Sequence, residues 1–457
     1  MPADTYLSAE DVTAWSIPAL PQAGADLNQP LFQALDDHGL MAPSQVAGRH
    51  WAMGCVALEI TQRCNLDCTL CYLSDMSEDV KDLPLEEVFR RIDMIHTHYG
   101  PRTNVQITGG DPTLRNADEL VQIVARVAAK DMRPALFTNG IKATRPLLKK
   151  LRHAGLKDVA FHIDMTQLRK GYDSEAELNT VREDYIDRAR GLGLHILFNT
   201  TVFDQNIADV PMLAQFFAAR ADVVHLASFQ MQADTGRGVL RARDEAITQE
   251  RVMALIGQGA GHRLSFDHPL VGHPSCNRYA GLLSAGGQTT ALFDDAALYG
   301  ALFQLGARYR FDRYNMAKSV RSGAQLLLEN PGLIARAARY GVRKLWALRR
   351  GLLKGRLHKL TFYVHNFMDA QHLERARCET CIFMTMTRDG PLSMCVHNAN
   401  RDTFILAEIE TSTGTWAPRR QMPAQQPLKR LKGRRRAAFL AQRKTPENHV
   451  SGAALKH

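Results

Sequence analysis

Cys64-Asn-Leu-Asp-Cys68-Thr-Leu-Cys71-Tyr72 places three thiols within eight residues. Three thiolates from one loop can hold three corners of a cubane [4Fe–4S] cluster, whereas a fully ligated cluster needs four, so one iron stays open to an outside ligand. A zinc site would supply its fourth ligand from a nearby Cys or His pair. Within thirty residues only His96 and His98 follow, and the spacing puts both inside a helix. Thr108-Gly109-Gly110-Asp111-Pro112 is the next such segment, with two glycines that permit close approach of another chain. Of the five remaining cysteines, Cys55 opens an expected strand and reads as a small buried hydrophobe. Cys276, Cys378, Cys381 and Cys395 make up a second set of four, in His273-Pro-Ser-Cys276, Cys378-x2-Cys381 and Ser393-Met-Cys395-Val-His397-Asn398. A tetrahedral zinc is one reading of those four.

The elements that must carry these residues alternate from Cys55 onward. Short runs rich in Val, Ile, Leu, Phe and Thr predict strands over 56–61, 105–108, 134–138, 159–163, 195–201 and 223–229. Amphipathic stretches predict helices over 85–99, 117–130, 144–155, 175–191 and 210–220, with Pro84 and Pro146 near their starts. Repeated βα units imply a parallel sheet, and six of them suit a partial barrel. The first cysteine loop follows the first strand, at the rim where barrels place their sites. The expected division is an N-terminal extension at 1–54, a barrel at 55–262, a smaller metal-bearing module at 263–410 and a basic, disordered tail at 411–457.

With 457 residues, 45% hydrophobic and 23% charged, the chain is a folded protein of one large or two to three smaller domains. It shows no basic n-region or apolar h-region at the start and no uncharged run of 18 apolar residues, so the expected location is cytoplasmic. In a reducing cytosol the eight cysteines are metal ligands or buried groups rather than disulfides. The net charge of +10 is concentrated in two acid-free segments, ten Lys/Arg over 419–444 and nine over 333–359, leaving an acidic body. The second segment is periodic. Leu333, Ile334, Ala337, Ala338, Val342, Leu345, Leu348 and Leu352 share one half of a helix, opposite Arg336, Arg339, Arg343, Arg350 and Lys354. Lys344 and Arg349 fall on the wrong side. A basic amphipathic insertion over 330–359 suits an anionic membrane surface, and equally an ordinary packed helix with a solvated basic face.

C-x3-C-x2-C after the first strand of a βα repeat, followed by Gly-Gly-Asp-Pro at the end of the second, resembles the radical S-adenosylmethionine (radical SAM) superfamily over about residues 55–262. The resemblance implies an α/β fold, a partial (β/α)6 TIM-type barrel with a C-terminal auxiliary metal-cluster module. It implies that Cys64, Cys68 and Cys71 ligate the [4Fe–4S] cluster, that Tyr72 lies beside the adenine, and that Gly109, Gly110, Asp111 and Pro112 hold the methionyl end of SAM. Asp111 stands where the family has Glu, one methylene longer. The open iron chelates SAM, reduction splits it, and the 5′-deoxyadenosyl radical takes hydrogen from an unactivated carbon, in a cavity kept from water. An electron donor such as ferredoxin or flavodoxin is then needed. Asn139, His162, Asp164, Asn199 and Gln230 end expected strands and face the same cavity, as candidate cofactor or substrate contacts or as structural hydrogen-bonding residues. Cys276, Cys378, Cys381 and Cys395 resemble the family's auxiliary regions, where four thiolates fully ligate a second iron–sulfur cluster.

The motifs HPSC, HNFMDA (365–370) and CVHN, with the basic insertion, are similar to the archaeal tetraether synthase group, whose members act on inert lipid alkyl carbons. That group's N-terminal cysteine-rich segment is missing here, since residues 1–54 contain no cysteine. The expected substrate is a small molecule of lipid-like character, with peripheral association at the inner face of a membrane. A peptide or protein maturase is the second reading. A metal-containing nucleic-acid binder using the basic tail is the third, and it leaves GGDP beside the cysteine triad unexplained.

Overall fold

A computed structural model describes residues 6–46, 54–237, 247–309, 311 and 316–419. Eleven strands form one sheet: β1 (Cys55–Thr61), β2 (Asn104–Gly109), β3 (Arg133–Thr138), β4 (Asp158–His162), β5 (His195–Val202), β6 (Val224–Met231), β7 (Asn277–Ala285), β8 (Gln288–Ala291), β9 (His358–Asn366), β10 (Phe383–Met386) and β11 (Pro391–Ser393). Their order is β11-β10-β1-β2-β3-β4-β5-β6-β9-β7-β8. The six strands read from the sequence run parallel in chain order. Helices Leu85–Tyr99, Ala117–Ala129, Arg145–His153, Glu175–Ala189 and Val210–Ala218 cross between them. Ser, Thr and Asn side chains cap several helices, with Asn116, Thr144 and Ser174 accepting from first-turn N–H groups.

β1 is buried at all seven positions. Val56, Leu58 and Ile60 join Val88, Ile92 and Ile95 of the first crossover helix in the main core. Strand alternation turns Cys55, Ala57, Glu59 and Thr61 to the barrel interior. This two-sided burial is what a parallel sheet under helices requires.

The expected boundary at 262 does not separate two sheets. β9 pairs parallel with β6, and β10 pairs parallel with β1, so the later region lengthens the barrel sheet at both ends to eight parallel strands. Antiparallel β7 and β11 then flank it. β9 and β10 share no ladder, but their rings meet: Phe383 lies 4.7 Å from His365 and 6.1 Å from Tyr363 between centroids. The two ends of the parallel run close on one another through aromatic side chains. Sequence alternation missed this because strands four to nine residues long, separated by cysteine loops and an inserted helix, carry no βα period. The tail also begins later than expected. Residues 409–411 and 414–416 form a hairpin, and the remaining tail, 420–457, lies outside the described residues.

The basic segment forms the helix Ile334–Leu352, but it packs on a different face from the one its apolar residues suggest. Lys344, misplaced on the helical wheel, is 5% exposed and donates to Ala291 O at 2.5 Å and Asp294 at 2.6 Å. Gly351 sits where a Cβ would fall 1.8 Å from Ala285 O, so the helix seats directly on the β7–β8 hairpin. Val342, Leu345 and Trp346 are left outward, 65%, 58% and 68% exposed.

Candidate functional site

The cysteine loop leaves the end of β1 and is fastened at three places. Gly110 N donates to Thr61 O and Asp111 N to Arg63 O, at 2.8 and 2.7 Å. A Cβ on Gly109 or Gly110 would lie 2.0 Å from Thr61 O or Arg63 O, so both glycines are demanded by the approach of the cysteine loop's root. Tyr72 Oη donates to Gly109 O at 2.5 Å, tying the far end of the loop to the same glycine. Thr69 N donates to Thr166 O in the turn Met165–Gln167 that follows β4. The three thiols face one another closely enough that Cys64 and Cys71 both weigh on Cys68, whose acidity is suppressed first by burial. Asn139 brings its side-chain amide to 3.8 Å from Cys64 Sγ and 2.7 Å from Asn65 Oδ1.

Asp111 does not reach outward. It is fully buried, and its carboxylate accepts from Thr113 N at 2.9 Å, Thr138 Oγ1 at 2.8 Å and Asn139 N at 2.8 Å. The shorter acid therefore caps the turn that Pro112 opens and pins β2 to β3. Tyr72 is likewise committed. The Arg401 guanidinium covers its ring at 4.6 Å, which occupies one of the faces expected to meet an adenine.

His162 Nε2 donates to Asp164 at 2.8 Å. Asp164 is buried, which alone would raise its pKa, but His162, Thr166 and the Thr201 N–H outweigh this and hold it at about 2. It thus acts as an anchor for the β4 and β5 rim, with its charge felt at Cys68. Asn199 lies beside His162 in register and is buried; Gln230 lies between Thr201 and His365. On the same inward row, Ser228 Oγ and His365 Nε2 are buried without a hydrogen-bond partner; the sequence singles out His365 as a candidate for contacts behind the second metal site or with substrate, but gives no sign of Ser228.

Three buried arginines, Arg237, Arg377 and Arg401, were not anticipated. Arg401 donates to both Glu59 oxygens at 2.8 Å. Burial opposes ionisation of Glu59, yet Arg401 and His397 hold its carboxyl at about 2. Arg237 N donates to Leu73 O, its Nε to Ser74 O, and its charge, with that of Arg401, offsets part of the burial that suppresses Cys71. A lone Glu in the apolar strand Cys55–Thr61 was the one sequence signal for this network.

The second set of cysteines gathers where β9 ends and β10 begins. Cys276, Cys381 and Cys395 line one cavity with His273, His365 and Arg377, and Cys378 shares an apolar cluster with Cys395. Burial pushes Cys276 up to about 11 and Cys378 up to about 12. No disulfide joins any of the eight cysteines, all of which lie among the described residues. Among the described residues no three His, Cys, Asp or Glu side chains converge on a single ion. Ligands of a cubane each meet a different iron and need no such convergence, so a triad at one locus and a quartet at another fit clusters.

Residues 58–217 match the Radical SAM superfamily. The chain is 29% identical over 189 residues to 7,8-dihydro-6-hydroxymethylpterin dimethyltransferase of Methanocaldococcus jannaschii, covering 39% of this chain and 36% of that protein. It is 25% identical over 209 residues to Fe-coproporphyrin III synthase of Methanosarcina barkeri, covering 44% and 49%. These stretches thus span between 36% and 49% of the relatives' length. A solved structure of anSMEcpe with bound AdoMet superposes with a TM-score of 0.36 and 13% identity, over 44% of this chain and 57% of that one.

Proposed function

From a chain that carries a radical SAM domain over residues 58–217, an enzyme domain whose cofactors are a [4Fe–4S] cluster and SAM, we propose an enzyme that takes hydrogen from an unactivated carbon of a lipid-like substrate. In this reading Cys64, Cys68 and Cys71 hold the cluster. When bound, that cluster and SAM supply a one-electron reductive cleavage that yields a carbon radical.

One observation carries the reading: the three-thiol loop is locked at both ends onto Gly109 and Gly110, beside Asn139. Thr61 O and Arg63 O fix the loop's root, and Tyr72 fixes its exit, so the thiols are oriented before any ligand arrives. Arg237 and Arg401 set positive charge beside Cys71 and favour its thiolate. The inward side chains Asn199, Ser228, Gln230 and His365 are the candidate contacts for substrate. The eight parallel strands meet at the β9–β10 seam through the stacked rings of Tyr363 and Phe383.

The lipid-like substrate class rests on the helix Ile334–Leu352. Of thirteen exposed large apolar side chains among the described residues, eight lie between Val320 and Leu357, interleaved with Arg339, Arg349, Arg350 and Lys354. An apolar stripe flanked by cations fits an anionic bilayer, where each nearby Lys or Arg contributes about 1 kcal/mol. No helix among the described residues is long and apolar enough to cross a membrane.

Anaerobic reconstitution with iron, sulfide, dithionite and SAM tests the chemistry. The expected product is 5′-deoxyadenosine; its absence from cluster-loaded protein would overturn the reading. For the surface, phosphatidylglycerol vesicles should co-sediment the chain, and Val342→Ser with Leu345→Ser should release it. Equal partitioning of both would remove the lipid argument.

A further inference from the structure

The cavity at the β9–β10 seam holds one cation, and it is bonded to a sulfur. Arg377 is 6% exposed, and its Nε donates to Cys276 Sγ at 3.2 Å. Its other nitrogens are anchored, with NH2 donating to Asn366 O at 2.6 Å and NH1 to Glu374 at 3.0 Å. The guanidinium is therefore fixed by the end of β9 and by its own helical turn, Arg375–Glu379, which delivers Cys378. A second observation marks the cavity as built to receive something. His365 lines it, is 3% exposed, and its Nε2 has no hydrogen-bond partner while Nδ1 faces Asn277 Oδ1 at 2.9 Å.

Resting on the reading that Cys276, Cys378, Cys381 and Cys395 hold a second iron–sulfur cluster, we propose that Arg377 is a positioning residue that tunes this centre electrically. It keeps Cys276 seated as a ligand and makes the cluster easier to reduce. Four thiolates around a cubane leave net negative charge, and one-electron reduction adds another. A buried cation donating directly to a ligand sulfur stabilises the reduced form more than the oxidised one, so the potential rises.

The test uses the full chain with Cys64, Cys68 and Cys71 changed to Ala, which isolates the second centre. Iron and sulfide content come first, followed by dye-mediated potentiometric titration read by electron paramagnetic resonance. Arg377→Met should move the midpoint to more negative potential, Arg377→Lys should recover part of the shift, and Glu374→Gln should move it the other way by freeing the cation from its counter-charge. Should Arg377→Met fail to hold iron, the opposed shifts of Arg377→Lys and Glu374→Gln still decide. Iron-loaded variants with an unchanged midpoint would overturn the role of Arg377. Zinc, or no metal, in the parent would instead overturn the second-cluster reading.

Discussion

The two cysteine sites are assembled in opposite ways. Cys64, Cys68 and Cys71 come from one partly exposed loop, fixed at its root by the backbone of Gly110 and Asp111 and at its exit by the Tyr72 hydroxyl on Gly109 O. Cys276, Cys378, Cys381 and Cys395 come from three segments, two of them are fully buried, and they meet only after β9 and β10 have joined opposite ends of the parallel sheet. A local loop can present three ligands and keep a cluster corner open at a rim. A quartet drawn from distant segments ties those segments together, so metal bound there also fastens the seam. On this view the first centre serves chemistry with little effect on stability, and the second contributes both electrons and closure.

The largest expected effect breaks the comparison directly. Cys68→Ala should abolish 5′-deoxyadenosine formation with little change in Tm, whereas Cys381→Ala should lower Tm and iron content while 5′-deoxyadenosine formation persists. Iron assay, thermal unfolding and product analysis on the two variants separate the roles; matching behaviour would erase the distinction.

Next is the network that links the two regions. Arg401→Met would leave Glu59 buried without its cation, at a cost of about 3–5 kcal/mol in urea unfolding, and adding Glu59→Gln should recover much of it. The pH dependence follows from Glu59. Its carboxyl is held at about 2, below its ordinary value of 4.5, so the stabilisation is complete above that ordinary value and is lost as pH falls toward 2. The double variant should therefore lose less stability between pH 4.5 and 2 than the parent chain.

Smaller effects sharpen the account of the first site. Asp111→Asn should cost about 1.5–3 kcal/mol, because a buried charged acceptor of several hydrogen bonds is lost, and the same denaturation series reads it. Gly110→Ala should cost about 1–3 kcal/mol through overpacking against Arg63 O, and the displaced loop should bind SAM more weakly in equilibrium dialysis of reconstituted protein.

How much was legible follows from periodicity. The six strands and five crossover helices of residues 55–231 matched within a few residues, because each element carries its own pattern and cap. That Cys64, Cys68 and Cys71 share one loop at the end of β1 was legible because their spacing is local. What escaped was long-range. β9 and β10 belong to the barrel through pairings with strands far away in sequence, and no local period announces that. Asp111 lies just beyond the end of β2, as its motif implies, but its partners Thr113, Thr138 and Asn139 are brought together only by the fold. The helix Ile334–Leu352 was read correctly as basic and amphipathic, yet Gly351 and Lys344 decide which face it buries. Arg377 and Arg401 could not be told from surface arginines until Cys276 and Glu59 stood beside them.

The central claim is that one centre has three protein thiolates and an open corner while the other has four. Electron paramagnetic resonance of the dithionite-reduced, fully loaded chain, recorded with and without SAM, tests it most directly. Two overlapping signals are expected, of which SAM shifts one and leaves the other untouched, with the responsive signal missing from the Cys68→Ala chain. A spectrum in which SAM moves neither signal would contradict the account.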